Sequence, residues 1–173
     1  VIAPLVTFDQ IDLGEANQCL GRWGHRMGAL NRGNVAGVHY ALFEEGQPVA
    51  VAMAAALIRE RVGGGLGHLN RENTIELARL CAVRPGLCRV ALRLWREFVL
   101  PRMGYLWAIS YQDADMHNGH TYRFDGWERA GFAHSGVDTR SGRPGRNKWI
   151  WTWEVPAIPP STALQPPAAR RQA

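Results

Sequence analysis

The sequence predicts a single compact α/β domain, and three observations carry that expectation. At 173 residues and 46% hydrophobic, the chain can bury one substantial core and is too short for two ordinary domains. Apolar runs of strand length alternate with a segment whose apolar residues recur at helical spacing. All periodicity stops at Pro156, so residues 1–155 are expected to form the domain and residues 156–173, with five prolines, an extended or disordered tail.

The elements follow in order. Gly14–Trp23 reads as a helix, with Asp12 as a possible N-terminal cap and an end near Gly24, and it runs into a Gly-punctuated loop over His25–Gly37. Val38–Glu44 and Pro48–Leu57 are apolar runs separated by Glu45, Gly46 and Gln47, which predicts a β-hairpin. Beyond the glycine-rich stretch Gly63–Gly67, Thr74–Val83 reads as a buried strand stopped by Arg84-Pro85-Gly86. From Leu87 to Val99 the apolar residues Leu87, Val90, Ala91, Leu94, Trp95, Phe98 and Val99 mark an amphipathic helix. Tyr105–Tyr111 predicts a strand, His117–Asp125 a short helix and Trp127–His134 another strand. Asn147–Val155 closes the fold, and the alternation of Trp149, Trp151 and Trp153 predicts one buried face. No internal repeat is visible.

The formal net charge is +5, and Lys148 is the single lysine among 20 basic residues. Arginine's planar fork matches phosphate bidentately, so this bias suits a nucleic acid or a phosphorylated cofactor; a GC-rich coding bias produces the same composition without chemistry. Cys19, Cys81 and Cys88 are odd in number and lack zinc-type spacing, which points away from a disulfide framework and towards a reducing compartment. No apolar run approaches the roughly 20 residues of a membrane span, and no charged n-region with an apolar h-region opens the sequence, so a soluble cytoplasmic protein is expected.

In combination, the order helix, hairpin, strand, Pro-Gly turn, amphipathic helix, strand, short helix, strand and terminal strand resembles the GNAT fold of acyltransferases. The resemblance implies a mixed, mostly antiparallel central sheet flanked by helices. It also implies that the stretch from Val83 and Arg84 through Gly86 to Cys88 and Arg89 holds the pyrophosphate of acetyl-coenzyme A or a related acyl donor. That stretch carries one glycine where the family's loop has two spaced ones. A positive loop at a helix N-terminus can still bind phosphate through Arg84, Arg89 and free amides, the phosphates of a nucleotide included, and as an isolated segment it also reads as an ordinary strand-to-helix turn. Tyr122-Arg123-Phe124-Asp125-Gly126-Trp127 matches the family's Tyr-x-x-x-Gly-Phe segment, which places Tyr122 at the family's general-acid position.

A further set of segments resembles the phage Mom-type proteins, GNAT-fold enzymes that modify adenine in DNA. These are Trp23-Gly24-His25-Arg26-Met27-Gly28, Ser110-Tyr111-Gln112-Asp113, Gly119-His120-Thr121-Tyr122, Gly126-Trp127 and Arg143–Trp151, spanning residues 18–153. The resemblance implies transfer of a small acyl-like or carbamoylmethyl-like group to an exocyclic amine of a DNA base, protecting phage or mobile-element DNA. It implies that His25, Ser110, Asp113 and Tyr122 surround one pocket, with Asp113 or His25 as base, Ser110 as hydrogen-bond donor and Tyr122 as acid. Glu76, at the start of the central strand, is the rival base. Arg140, Arg143, Arg146 and Lys148 lie on a predicted turn ahead of the Trp-rich strand and are the nucleic-acid candidates; a solvated loop is the plainer reading. His39, His68 and His134 read as structural. His25, His117 and His120 with Asp113 or Asp115 have ligand chemistry for iron or zinc, but their spacing fits no compact metal motif. Two other functions remain open: an acetyl-coenzyme A-dependent N-acetyltransferase acting on a protein or small amine, and a non-catalytic nucleic-acid-binding module.

Overall fold

The computed structural model describes residues 5–31, 37–134, 136 and 145–157. Seven strands, β1 (Val6–Ile11), β2 (Val38–Glu44), β3 (Gln47–Ala56), β4 (Thr74–Ala82), β5 (Trp107–Asp113), β6 (Glu128–Ala133) and β7 (Lys148–Glu154), form one sheet in the order β1-β2-β3-β4-β5-β7-β6. Among the described residues every neighbouring pair is antiparallel except β4–β5. The helices are α1 (Leu13–Arg22), α2 (Leu87–Leu94) and α3 (His120–Phe124). The mixed, mostly antiparallel sheet flanked by helices is the expected fold class. No described helix is long and apolar enough to cross a membrane.

Local chemistry explains the boundaries. Asp12 caps α1 by accepting the Glu15 amide at 2.8 Å. The β2–β3 hairpin turns through Glu45 (φ 50°) and Gly46 (φ 76°), the pair of positive φ values that matches the twist of antiparallel strands. The predicted helix over Leu87–Val99 is divided: α2 ends at Leu94, a π turn runs Trp95–Val99, and a 3-10 turn with Pro101 follows. Proline has no N–H and clashes with the carbonyl four residues back, so the α register stops short of it. The predicted helix His117–Asp125 starts only at His120, because Gly119 adopts a left-handed conformation (φ 77°). Strand β1 was not expected; as an edge strand with burial on few positions it lacks a clear apolar alternation.

Alternate residues of β3 separate the two layers. Ala52 and Ala54 face a core of Ile75, Leu77, Leu92, Trp95, Tyr122, Trp127 and Trp151, under α2 and α3. Val51, Met53 and Ala55 face Ala16, Cys19, Leu20 and Leu30, under α1. The tryptophans of β7 pack on the first core as expected, yet the opposite face is also covered: Ile150 packs with Leu57, Val62, Leu69 and Ile109. The expectation of one buried face is therefore corrected. Each buried aromatic removes roughly 150–250 Å² from water, worth about 4–6 kcal/mol at about 25 cal/mol/Å². Such packing is what holds α3, since a helix of five residues has no stability of its own.

Candidate functional site

The site originates in a flaw in the ladder. Between β3 and β4, Met53 faces Arg79 while Ala54 faces Leu77, leaving Ala78 as an extra residue that bends β4. The parallel pairing of β4 with β5 ends at Glu76 and Ile109, whereas β5 continues along β7 to Asp113. The two central strands part, and the gap is a cleft of ≈ 170 Å³ lined by Leu77–Leu80, Ser110–Asp113, Cys88 and Met116–Tyr122. His25, Arg26, Met27 and Arg146 complete its lining. Because Cys88 belongs to α2 on one face and His25–Met27 follow α1 on the other, the cleft is reached from both layers of the fold.

Where the strands separate, a side chain takes over from the backbone. Ser110 Oγ donates to the Leu77 carbonyl at 2.9 Å and lies 2.8 Å from the Tyr122 hydroxyl. A serine has one hydroxyl hydrogen, so with Leu77 as its acceptor the phenol donates to Ser110. Burial pushes the Tyr122 phenol up to about 12, and the Ser110 hydrogen bond opposes that rise. The phenol therefore keeps its proton throughout the neutral range.

Two indoles hold the Tyr122 ring, and one of them is itself anchored. The Trp151 indole stacks on it at 5.6 Å and 15°, Trp127 meets it edge-on, and Trp127 Nε1 donates to Asp125 Oδ2 at 3.1 Å. Asp125 also receives Arg96 Nε at 2.6 Å and Arg96 Nη2 at 3.2 Å, with side-chain exposures of 3% for Asp125 and 13% for Arg96. This buried fork ties the end of α3 to the π turn after α2. Sequence reasoning missed Asp125 as an anchor; its signal was an acid inside the Tyr122–Trp127 segment facing an arginine-rich helix.

On the other wall, Arg26 Nη1 lies 3.5 Å from Asp113 Oδ2, and Arg79 Nε donates to the Gly28 carbonyl at 3.2 Å, fastening the turn that carries His25. His25 Nδ1 is buried and has no hydrogen-bond partner among the described residues. Burial, followed by the charges of Arg79, His117 and Arg146, lowers the His25 imidazole to about 4, so it is neutral at pH 7. The unfolded chain regains an ordinary imidazole near 6.5. Between these values it binds a proton that the folded chain refuses, so His25 makes stability decline as pH falls from about 6.5 towards 4. Urea denaturation at about pH 7 and about pH 5 is expected to show a smaller acid-side loss for His25→Gln than for the wild type. Equal losses would contradict the assignment.

His25, Ser110, Asp113 and Tyr122 thus lie around one cleft. Glu76 does not join them: it is buried in the part of β4 that is still paired, before the strands separate, and it is absent from the cleft lining. In the turn before α2, the Val83 amide donates to the Val49 carbonyl, and Nη2 of the half-exposed Arg84 is paired with Glu44 at 2.7 Å. Gly86 supplies φ 89° as the N-cap, and the amides of Leu87 and Cys88 have no backbone acceptor among the described residues. Arg89 lies over the Phe124 ring at 5.2 Å, and Cys88 reaches the cleft with its thiol pushed up to about 11 by burial. Arg146 lines the cleft, while Lys148 sits over the Tyr111 ring at 5.8 Å. Arg140 and Arg143 lie outside the described residues. Among the described residues no three His, Cys, Asp or Glu side chains converge as a metal-binding group.

No family model matches the chain, and no curated protein sequence matches it. Solved structures do. The ribosomal-protein-S18-alanine N-acetyltransferase from Escherichia coli superposes with a TM-score of 0.63 at 14% identity, over 90% of this chain and 97% of that one. NAA60 of Arabidopsis thaliana, in complex with acetyl-CoA, gives 0.59 at 11% identity over 87% and 99%. The Vibrio cholerae spermidine/spermine N-acetyltransferase SpeG gives 0.59 at 7% identity over 86% and 94%. A GNAT-family protein from Desulfovibrio desulfuricans gives 0.55 at 13% identity over 87% and 99%. The order of elements, the parted central strands and these superpositions agree: the chain has the GNAT acyltransferase fold.

Proposed function

We propose that this protein is an acetyl-coenzyme A-dependent N-acetyltransferase acting on a protein or small-molecule amine. The observation that carries the reading is the cleft between β4 and β5, with the Ser110–Tyr122 pair at its apex and unengaged α2 amides at its end. Amides at a helix N-terminus suit the pyrophosphate of the donor, so Leu87 and Cys88, with Arg89 beside them, are the residues that would hold it. The single glycine of this turn does not remove those donors. Bound there, acetyl-CoA supplies a thioester-activated acetyl group.

The chain's own residues provide the proton chemistry. Tyr122 holds a proton at Oη, the one a departing thiolate requires. When the phenol turns towards that thiolate, Ser110 is free to rotate and donate to Oη, which stabilises the developing phenolate. His25, neutral with Nδ1 unpartnered, and Asp113, with Oδ2 beside Arg26, are the groups able to take a proton from the attacking amine.

The acceptor is constrained by charge. Among the described residues, Arg26, Arg79 and Arg146 line the cleft against the one carboxylate of Asp113, while His25 is neutral. A polycationic amine is disfavoured there, and a neutral amine or one carried on an anionic molecule is favoured. The same surplus of arginine supports a second reading, the one implied by the Mom-type resemblance, in which the amine is exocyclic on a DNA base.

Release of free coenzyme A from acetyl-CoA, followed with peptides, polyamines and DNA as acceptors, tests both. Turnover with a peptide or small amine supports the first reading. A nucleoside of increased mass recovered from the DNA moves the acceptor to the second. No release with any acceptor would overturn acetyl transfer.

A further inference from the structure

We propose that Gln112 is a positioning residue for Tyr122, acting through Trp151; the inference rests on the acetyltransferase reading for its effect on turnover. Gln112 lies on β5 and is buried. Its Oε1 accepts from Trp151 Nε1 at 2.7 Å, and its Nε2 donates to the His117 carbonyl and, at 3.5 Å, to the Asp113 carbonyl. An indole N–H only donates and a carbonyl only accepts, so one orientation of the amide satisfies all three partners.

That orientation fixes the indole, and the indole fixes the phenol. Trp151 lies nearly parallel to the Tyr122 ring at 15°, setting the plane in which the hydroxyl meets Ser110. The start of α3 is locked to the same two side chains. A Cβ on Gly119 would lie 2.5 Å from Trp151 Cζ2 and 2.8 Å from Gln112 Oε1, contacts that real Cβ atoms do not make. Gln112, Trp151 and Gly119 therefore interlock directly behind the proton donor.

Gln112→Glu separates positioning from bulk. The carboxylate keeps the shape and the bond from Trp151, but when ionised it has no proton for the His117 carbonyl and is repelled by it. Protonated, it restores the donor. Burial, the two carbonyls and Asp113 on β5 favour the protonated form. Arg26 across the cleft, Arg146, and Lys148 on β7 favour the ionised one, and the neutral His25 favours neither. Burial beside two carbonyl acceptors is expected to hold the new carboxyl above its ordinary value of about 4.3.

The test uses the full chain carrying 3-fluorotyrosine, with the Tyr122 resonance assigned by its loss in Tyr122→Phe, and compares the wild type, Gln112→Glu and Trp151→Phe. In Gln112→Glu, kcat is expected to be about tenfold or more below the wild type at about pH 8 and to recover at about pH 5.5, with KM for acetyl-CoA unchanged. The fluorine resonance of Tyr122 is expected to move with the same midpoint. Trp151→Phe, which keeps a ring and loses the N–H, is expected to shift that resonance without the new pH dependence, and it decides the matter if Gln112→Glu does not fold. A Tyr122 resonance unmoved in the folded variants, or a Gln112→Glu rate profile parallel to the wild type, would overturn the proposal. If the wild type itself shows no turnover, the acetyltransferase reading fails, and the fluorine spectra still decide whether Gln112 sets the position of Tyr122.

Discussion

Tyr122→Phe is expected to lower kcat for acetyl transfer by about 10²–10⁴-fold while leaving acetyl-CoA affinity near that of the wild type. The substitution removes one hydroxyl from a ring already packed between Trp127 and Trp151, so the apolar contacts survive. Ser110 keeps its own acceptor, the Leu77 carbonyl, and loses only the proton it was receiving. Leaving that oxygen short of one donor costs about 1–3 kcal/mol, which the remaining packing tolerates. Steady-state kinetics beside a thermal melt separates the two effects. A folded Phe variant with wild-type kcat would remove Tyr122 from the chemistry.

A different kind of loss is expected of Asp125→Ala, which should destabilise the fold by about 2–4 kcal/mol in urea denaturation, because it leaves the largely buried Arg96 guanidinium with only the half-exposed Glu97 as partner. The Trp127 indole N–H loses its acceptor in the same step. The Arg71–Glu60 pair gives the contrast: its members are 48% and 69% exposed, and such pairs contribute about 0–1 kcal/mol. Glu60→Ala should therefore be nearly silent. Loss of less than about 1 kcal/mol in Asp125→Ala would show that α3 is held by aromatic packing alone.

Much of the architecture was legible because its signals are local. Asp12 before an apolar helix, Glu45-Gly46 between two apolar runs and the alternating tryptophans of β7 each report on neighbouring residues. The order of those elements was enough to indicate the GNAT fold. The edge strand β1 and the change from α to π winding at Trp95 were not legible, because they depend on what packs against them. The covered second face of β7 belongs to the same class, since the segment that buries Ile150 comes from Leu57–Leu69.

The site divides along the same line. Short motifs named His25, Ser110, Asp113 and Tyr122, and these residues do surround one cleft. The bulge at Ala78 that opens the cleft leaves no mark in an apolar run, and without it Glu76 and Ser110 look equally central. The supporting residues Gln112 and Asp125 were also hidden, because a lone amide or acid reads as surface until its indole and guanidinium partners are in place. The partners of Val83 and Arg84, the Val49 carbonyl and Glu44, lie far from them in sequence and were equally hidden.

The most direct measurement is a calorimetric titration of the full chain with acetyl-CoA, in the absence of any acceptor. A saturable one-to-one isotherm that weakens in Arg89→Ala and persists in Tyr122→Phe is the expected result, since the first residue sits at the α2 turn and the second at the apex of the cleft. Absence of any binding heat at millimolar acetyl-CoA, from protein shown to be folded, would contradict the assignment of this cleft to an acyl-coenzyme A donor.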